Sequence, residues 1–489
     1  MMSLVKKYLA GAIFLLMANG AFANGLVLNQ AELRQDLNWL QQQGVIQIST
    51  STWPLSHNEI ERALSNAKAN DSTQHEVIER VRQALINENS MFKAGLSLQS
   101  EEKPLAHQFG DNSYAQYSAF TEANAGGEHW DIKLRVTAEK DSEIGNKKND
   151  VNVDGSYIAG QAFNQWLVAG QIPTWWGAGH EGSLIRGDAS RSVVGVTLQR
   201  DKHQAFETEW LSWIGDWQYQ IFAGQLRNYK AVPDAKLIGM RVTAQPTPYL
   251  ELGFSRTLQW GGEGRRQTAS DLMKALAGNQ DNVYNGQYDQ SNQIAGFDGR
   301  LSLGHIVDVP VSVYAQYVGE DEANFLPSKK MYLSGLDYSS SYNKMPYQVY
   351  AEWADTRTNM KTRGISYEHG TTYKDGFYQQ GYPLAYPLGG DAQSVSLGGH
   401  IHIDKMNSVS GRMMFAKLDK ARATSRQNNY AFPNQDNLKS VEVTWTHRIK
   451  PTIPLKLNAW LSDSDVHGQD GGLGMQVELP LDKNTFGLK

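Results

Sequence analysis

The sequence predicts an all-β transmembrane β-barrel of the outer-membrane type, about 18 antiparallel strands long in circumference, preceded by a small N-terminal α-helical bundle. Three observations predict it. From Met91 onward apolar and polar residues alternate with a period of two. The connections between the alternating runs are by turns short and long, as in barrels with short periplasmic turns and longer extracellular loops. After residue 23 no apolar run of about 18 residues remains, so membrane crossing by a helix is excluded and crossing by strands is not.

The first 23 residues contain Lys6 and Lys7, an apolar run from Tyr8 to Met17, and Ala21-Phe22-Ala23, which has the form of a signal-peptidase site. Export is expected, with the mature chain starting at Asn24. Without Lys6 and Lys7 the 46 basic residues fall to 44 against 51 acidic ones, a net charge of −7, which argues against a nucleic-acid partner. The mean hydropathy of −0.50 is compatible with strands that show one polar face. There is no cysteine, so disulfides and thiolate metal sites are absent.

Residues 24–90 read as the helical bundle, placed in the periplasm. Asn29 with Glu32 forms a capping-box pattern ahead of Leu33, Leu37 and Leu40, and Gly44 ends that helix. Ser56 with Glu59 and Thr73 with Glu76 open two more helices. Ile60 and Leu64, then Val77, Val81 and Leu85, give each an apolar face for mutual packing.

Residues 91–489 read as the barrel. The alternation is clearest in Trp130, Ile132, Leu134 and Val136 against Asp131, Lys133, Arg135 and Thr137, and it recurs from Val395 to Ile403 and from Leu473 to Leu479. Trp217, Trp260, Tyr338, Trp353 and Trp445 fall near strand ends, where interfacial girdles need aromatics. Short connections are expected at 125–127, near Asn164, at 215–216, 246–248, near Ile306 and at 404–407. Long ones are expected at 100–112, 261–292, 319–328, 355–393 and 418–437. A raw count gives 19 strands; treating Ser192 to Arg200 as part of one excursion from Pro173 to about Ala205 restores an even number.

Candidate binding chemistry concentrates in two stretches. The run from Gly170 to Asp188 packs Trp175, Trp176, Glu181, Arg186 and Asp188 among five glycines, with Arg191 just beyond. Indoles can stack on pyranose faces while the charged groups hydrogen-bond hydroxyls or acidic substituents. The same residues suit an inward-folded loop that plugs a wide lumen. The long loop from Asp355 to Gln393 mixes Asp355, Arg357, Arg363, Lys374 and Asp375 with Tyr373 and Tyr378, chemistry that fits an acidic polysaccharide and equally fits packing between loops. Gly177, Gly179 and Gly182 match a G-x-G-x-x-G spacing but lack the strand-turn-helix context of a dinucleotide site. Asp150, Asn152 and Asp154 echo the opening of a calcium loop, with Gln161 where the bidentate glutamate belongs, so solvated carboxylates are preferred and no metal or cofactor is expected. Neither a G-x-S-x-G elbow nor an H-E-x-x-H helix occurs, so no enzyme is expected.

Five runs together carry a family resemblance: Gly170 to Asp188, Ser51-Thr-Trp-Pro-Leu-Ser56, Gly319 to Ser328, Asp355 to Met360 and Tyr373 to Leu384. They span the chain, which closely resembles the capsule assembly protein Wzi family. The resemblance implies an eighteen-stranded outer-membrane barrel with a periplasmic helical bundle. It also implies a lectin-like task, the anchoring of capsular polysaccharide on the cell surface, with outer-membrane lipid around the wall and capsule export machinery as a further partner. A porin or sugar channel, an outer-membrane carbohydrate-active enzyme and a scaffold for the export complex are the competing readings. A channel requires an open lumen, an enzyme requires polymer cleavage, and a scaffold would dock through its helices.

Overall fold

The computed structural model describes residues 25–111, 114–142, 149–276, 291–307, 309–323, 326–360, 366–369, 372–419 and 428–481. The expected leader and Arg363 lie outside them. The barrel begins with β1 (Phe92–Gln99), β2 (Ala115–Gly126), β3 (Trp130–Ser142), β4 (Asn149–Asn152 and Tyr157–Ala162), β5 (Gln165–Gln171) and β6 (Val194–Arg200). It continues with β7 (Asp216–Gln225), β8 (Lys236–Thr247), β9 (Leu250–Trp260), β10 (Ser291–Ser302), β11 (Val311–Ala323) and β12 (Leu326–Tyr342). It ends with β13 (Met345–Asp355), β14 (Ala392–His402), β15 (Asn407–Leu418), β16 (Asp436–Lys450), β17 (Ile453–Ser464) and β18 (Gly468–Pro480). Among the described residues these 18 strands pair antiparallel in chain order, and β18 closes on β1 from Gly474↔Gln99 to Pro480↔Lys93. Closure leaves no edge strand.

The even number arises differently from the expected way. Ser192 to Arg200 is not part of an excursion: Val194–Arg200 is a wall strand, paired with Gln171 to Gln165 on one side and with Gln225 to Gln220 on the other. Parity holds because Asn149–Asn152 and Tyr157–Ala162 both pair with β3 as two parts of one interrupted strand. The expected long loop at 319–328 is also replaced by ladder, since β11 and β12 stay paired as far as Ala323↔Leu326. Backbone pairing that satisfies N–H and C=O groups continues there beyond the alternating apolar pattern.

Alternation along each strand sorts the two faces. On β8, Arg241, Thr243 and Gln245 are buried toward the lumen while Val242 is 46 % exposed on the outer wall. Phe254, Phe297, Val349, Leu397 and Phe415 are likewise exposed outside. A polar inside and apolar outside is the inverse of a soluble sandwich.

Among the described residues three helices precede the wall: α1 (Ala31–Gln42), α2 (His57–Ser65) and α3 (Ser72–Glu88). Their expected apolar faces meet in one cluster that includes Leu33, Leu37, Leu40, Ile60, Leu64, Val77, Val81 and Leu85. Ser56 caps α2 by accepting from the Glu59 N–H at 3.0 Å. The other two caps differ from expectation. α1 starts after Gln30, which makes no side-chain cap, and Asn29, one residue earlier, instead donates its amide N–H to Asp188 at 2.8 Å. α3 is capped by Asp71, accepting from the Gln74 N–H at 2.8 Å, rather than by Thr73.

The helices close one mouth of the barrel, the helix end. The Trp39 indole N–H donates to the Ser340 carbonyl (2.8 Å), Gln43 donates to the Ser339 carbonyl (2.8 Å), and Arg62 meets Asp216 at 2.8 Å. The connections at residues 343–344, 403–406 and 451–452 lie at this end; the connections at 172–193, 226–235 and 356–391 lie at the other, the loop end.

Candidate functional site: the plug and the loop-end face

The segment from Ile172 to Val193 turns down into the lumen instead of standing above it. Trp175 and Trp176 pair as a short ladder with Trp53 and Thr52 of the N-terminal segment, and Trp176 bridges back to Arg186. Both indoles are 1 % exposed. The Trp175 ring meets Phe109 edge-on at 5.3 Å, with Phe109 edge-on to Trp53 at 5.2 Å and the Arg34 guanidinium 4.4 Å over Phe109. The Trp176 indole N–H donates to the Gln220 side chain of the wall at 2.5 Å. All four indole faces are covered by protein, so these tryptophans form a core between plug, N-terminal segment and wall, and the sugar platform that their pairing suggested is not presented to solvent.

The charged members of the run are held in the same way. Glu181, fully buried, accepts from the Tyr350 hydroxyl and from Arg412 at 2.9 Å, and Arg412 also binds Glu442 at 3.0 Å. Arg191 is enclosed by Glu139, Asp154 at 2.9 Å and Asp150 at 3.3 Å. Two of the carboxylates that echoed a calcium loop thus surround a guanidinium. Asp188 accepts from the Asn29 amide at 2.8 Å and the Gly110 N–H at 2.9 Å; burial outweighs both and raises its pKa to about 6. Arg186 is 3 % exposed, and its Nε and Nη1 have no hydrogen-bond partner among the described residues. Burial lowers it to about 10, against the pull of Asp188.

The backbone of the plug is tied to wall and loops. The Glu352 carboxylate accepts the His180 N–H at 2.6 Å, Gln316 accepts the Leu184 N–H at 2.7 Å, and the Tyr367 hydroxyl donates to the Leu184 carbonyl at 2.8 Å. Gly177, at φ +145°, brings the chain against the Gln316 side chain, where a Cβ would stand 3.2 Å away. Beside α1 the lumen keeps two adjoining cavities of about 320 and 190 Å³, both lined by Glu32, Gly110 and Lys456. There burial works against the Glu32 carboxylate, but Lys456 and Arg448 hold its pKa down at about 2.

Over the plug sits the loop after β13. Tyr373, Phe377 and Tyr378 are at most 3 % exposed, and the Tyr373 hydroxyl donates to the Gly261 carbonyl at 3.0 Å. Asp355 is buried at the strand end, where Arg357 binds it through Nε at 3.0 Å and Nη2 at 2.7 Å and Gln393 donates at 3.0 Å. Asp375 accepts the backbone N–H groups of Lys230 (2.5 Å) and Ala231 (3.0 Å), which sews this loop to the one after β7. Among the described residues, Lys374 is the sequence-predicted one that stands exposed on the loop-end face. Lys230 is exposed next to it, with Arg227, Arg266 and Lys274 on the neighbouring loops. None of these four carries a local sequence mark: Arg227 and Lys230 stand in a ten-residue connection, and Arg266 and Lys274 in a loop with no aromatic and charged run of the kind that marks the other two stretches. The arrangement can offer cationic groups, fixed by an aromatic core beneath them, to an anionic ligand outside the barrel.

The family model of the capsule assembly protein Wzi matches residues 97–478. An uncharacterized 55.8 kDa protein in the cps region of Klebsiella pneumoniae is 41 % identical over 467 residues, 94 % of this chain and 90 % of that protein. Among solved structures, Wzi, an outer-membrane protein involved in group 1 capsule assembly in Escherichia coli and a carbohydrate-binding β-barrel, superposes with a TM-score of 0.87 at 40 % identity, over 94 % of this chain and all of that one. With a shared fold and similarity along nearly the whole length, the chain belongs to the capsule assembly protein Wzi family.

Proposed function

We propose that this chain is an outer-membrane, lectin-like protein that holds capsular polysaccharide on the cell surface without a covalent step, and that the polymer lies on the loop-end face. The observation that carries the reading is the contrast between a lumen crossed by a laced plug and a loop-end face that keeps Lys230, Lys374, Arg227 and Arg266 at its surface. Such groups pair with uronate or pyruvate carboxylates. Repeats of one polymer engaging many copies of the protein would slow release even where each contact is weak. The carbohydrate-binding relative at 40 % identity supports the ligand class. The plug removes the main argument for a channel, because Trp175, Trp176 and the Arg412 pairs stand where a pore would run. In this reading residues 1–23 direct export, the helix end faces the periplasm, and the wall meets lipid.

The test is cell-associated against released capsular polysaccharide in a deletion strain and its complemented parent, normalised to total polymer. Polymer made at the normal level but found in the medium is the expected result. Retention equal to that of the parent would sink the anchoring role.

A further inference from the structure

The connection between β6 and β7 is the longest of the described turns at the helix end. It runs for residues 201–215 and carries a short helix, α4 (Glu209–Ser212). Its root is fixed inward. Asp201 accepts from the Trp166 indole N–H at 2.8 Å and from Asn58 at 2.9 Å, and the His203 N–H donates to Glu59 at 2.8 Å. Its tip turns the other way. Phe206 stacks on Trp217 with centroids 4.5 Å apart, and Trp217 stacks on Tyr219 at 6.1 Å. Trp217 and Tyr219 belong to the outward row of β7, since Gln218 and Gln220 between and beyond them are buried in the lumen. That outward row continues to Ile221, 47 % exposed.

Beyond this stack, Trp210 is 74 % and Trp213 69 % exposed. The neighbouring hairpin tip is tied in: the Asn164 amide donates to the Lys202 carbonyl at 3.0 Å and its oxygen accepts the Lys202 N–H at 2.9 Å, which brings Phe163, 95 % exposed, to the same edge. Three large aromatics left in water would be unfavourable, because apolar surface gains by leaving it. Arg200, also on the outward face, sits 4.0 Å over the Trp217 ring and donates to the Gln204 and Trp217 carbonyls, the posture of a cation kept at a polar boundary. Glu207 and Glu209 on the tip are exposed and would resist entry into hydrocarbon.

We propose that residues 205–214 form a foot that lies in the phospholipid headgroup layer at the helix end, with Trp210, Trp213 and Phe163 at the level of the glycerol backbone. The occupant is lipid because the patch continues the outward apolar wall through the Phe206, Trp217 and Tyr219 stack, and because tryptophan combines an apolar body with an N–H suited to that layer. The foot also has a mechanical consequence: it joins the membrane surface to the same Asp201 and His203 root that holds α2. This rests on the outer-membrane reading, and the test separates the two.

The chain has no cysteine, so single-cysteine variants label at one position. Full-length protein labelled with an environment-sensitive fluorophore at Trp213→Cys, Thr208→Cys, Leu167→Cys on the outer wall or Glu79→Cys on α3 is reconstituted into phosphatidylethanolamine and phosphatidylglycerol vesicles. The lipids carry a nitroxide either near the glycerol or deep in the chain. The foot predicts quenching at Trp213 and Thr208 about twofold stronger from the shallow nitroxide than from the deep one, the reverse order at Leu167, and little quenching at Glu79. Thr208→Cys keeps both tryptophans, so displacement caused by losing Trp213 would show as a difference between the two. Quenching at Leu167 with none at either foot position would overturn the foot and leave the membrane barrel standing. Absence of quenching at Leu167 as well would overturn the membrane reading itself. Foot signals that follow the protein-to-lipid ratio instead of the nitroxide would reassign the patch to a contact between copies and also overturn the proposal.

Discussion

The two mouths of the barrel are closed by different chemistry. At the helix end the contacts are charged and reach from helix to wall: Asp36 of α1 binds Arg80 at 2.7 Å and His402 of β14 at 3.2 Å, and Arg448 of β16 binds Glu32 at 2.5 Å. At the loop end the closure is aromatic. Tyr229, Tyr367 and Tyr373 are buried and send their hydroxyls to backbone carbonyls of Gly376, Leu184 and Gly261 at 3.0, 2.8 and 3.0 Å. The difference shows how one protein can close both mouths of a barrel and still keep charged groups on one outer face. Where carboxylate and guanidinium are buried, each neutralises the other and holds the plug. Where aromatics carry the packing, Arg227 and Lys230 stand exposed on the outside.

The largest effect is expected where the N-terminal segment is clamped inside the lumen. Arg241, fully buried, donates to Asp298 at 2.6 and 2.9 Å, to Ser255 at 2.7 Å, to Ser51 at 2.8 Å and to Thr52 at 2.7 Å. Asp298→Asn leaves the guanidinium buried without its counter-charge, a loss of about 3–5 kcal/mol. The strand pair that Thr52 and Trp53 make with the plug should loosen. In planar bilayers the parent should stay closed and the variant should show openings, together with faster proteolysis near residue 50. A variant as closed and as resistant as the parent would mean that the charged clamp does not hold the plug.

Much of this frame could be read from the sequence, and the unread part has a common cause. Alternation in Trp130 to Thr137 and in Val395 to Ile403 marked wall strands because lumen and outside impose opposite polarity on neighbouring residues. The caps and the apolar faces of α2 and α3 were local enough to see, apart from the shift from Thr73 to Asp71. Arg241 with Asp298, 57 residues apart, and Glu181 with Arg412, 231 apart, carry no local mark; only barrel closure brings them together. The same distance explains the tryptophans. Trp175 and Trp176 stood out as a platform because nothing near them in sequence shows Trp53, Phe109 and Arg34 covering their faces. Val194–Arg200 was misassigned because strand number was settled by parity, and parity does not say which candidate to drop.

A smaller and more diagnostic effect comes from two aspartates with opposite pH behaviour. Asp36 is depressed well below the ordinary range: burial alone would raise it, but Arg80 and His402 outweigh burial. Its contribution is present above the ordinary aspartate pKa and is lost only as pH falls below it. Asp188 is raised to about 6 by burial, against the Asn29 and Gly110 hydrogen bonds. The unfolded chain then gives up this proton first, so Asp188 contributes stability at acid pH that is lost as pH climbs from about 4 to about 6, up to about 3 kcal/mol. Denaturation followed between pH 4 and 7 should show a decline that Asp188→Asn flattens and Asp36→Asn does not. The same slope in parent and Asp188→Asn would place the titration elsewhere.

The smallest structural effect should accompany the clearest functional one. Lys230 and Lys374 are exposed on either side of the Asp375 seam, so reversing both, Lys230→Glu with Lys374→Glu, should change stability by less than about 0.5 kcal/mol. Each lost cation should weaken binding of an acidic capsular polymer by about 1 kcal/mol, close to fivefold, with the loss shrinking as salt rises. Arg357→Gln sharpens the reading, since Arg357 is spent on the buried Asp355. Removing it leaves that carboxylate to Gln393 and the residue-357 N–H, at a local penalty of about 1–3 kcal/mol, and any fall in polymer binding should come with a lower melting temperature. Weakened binding by the lysine variant at unchanged melting temperature locates the polymer on the loop-end face. Full binding by that variant, beside a loss in Arg357→Gln, would move recognition from the exposed cations to the shape of the loop that the aromatic core sustains.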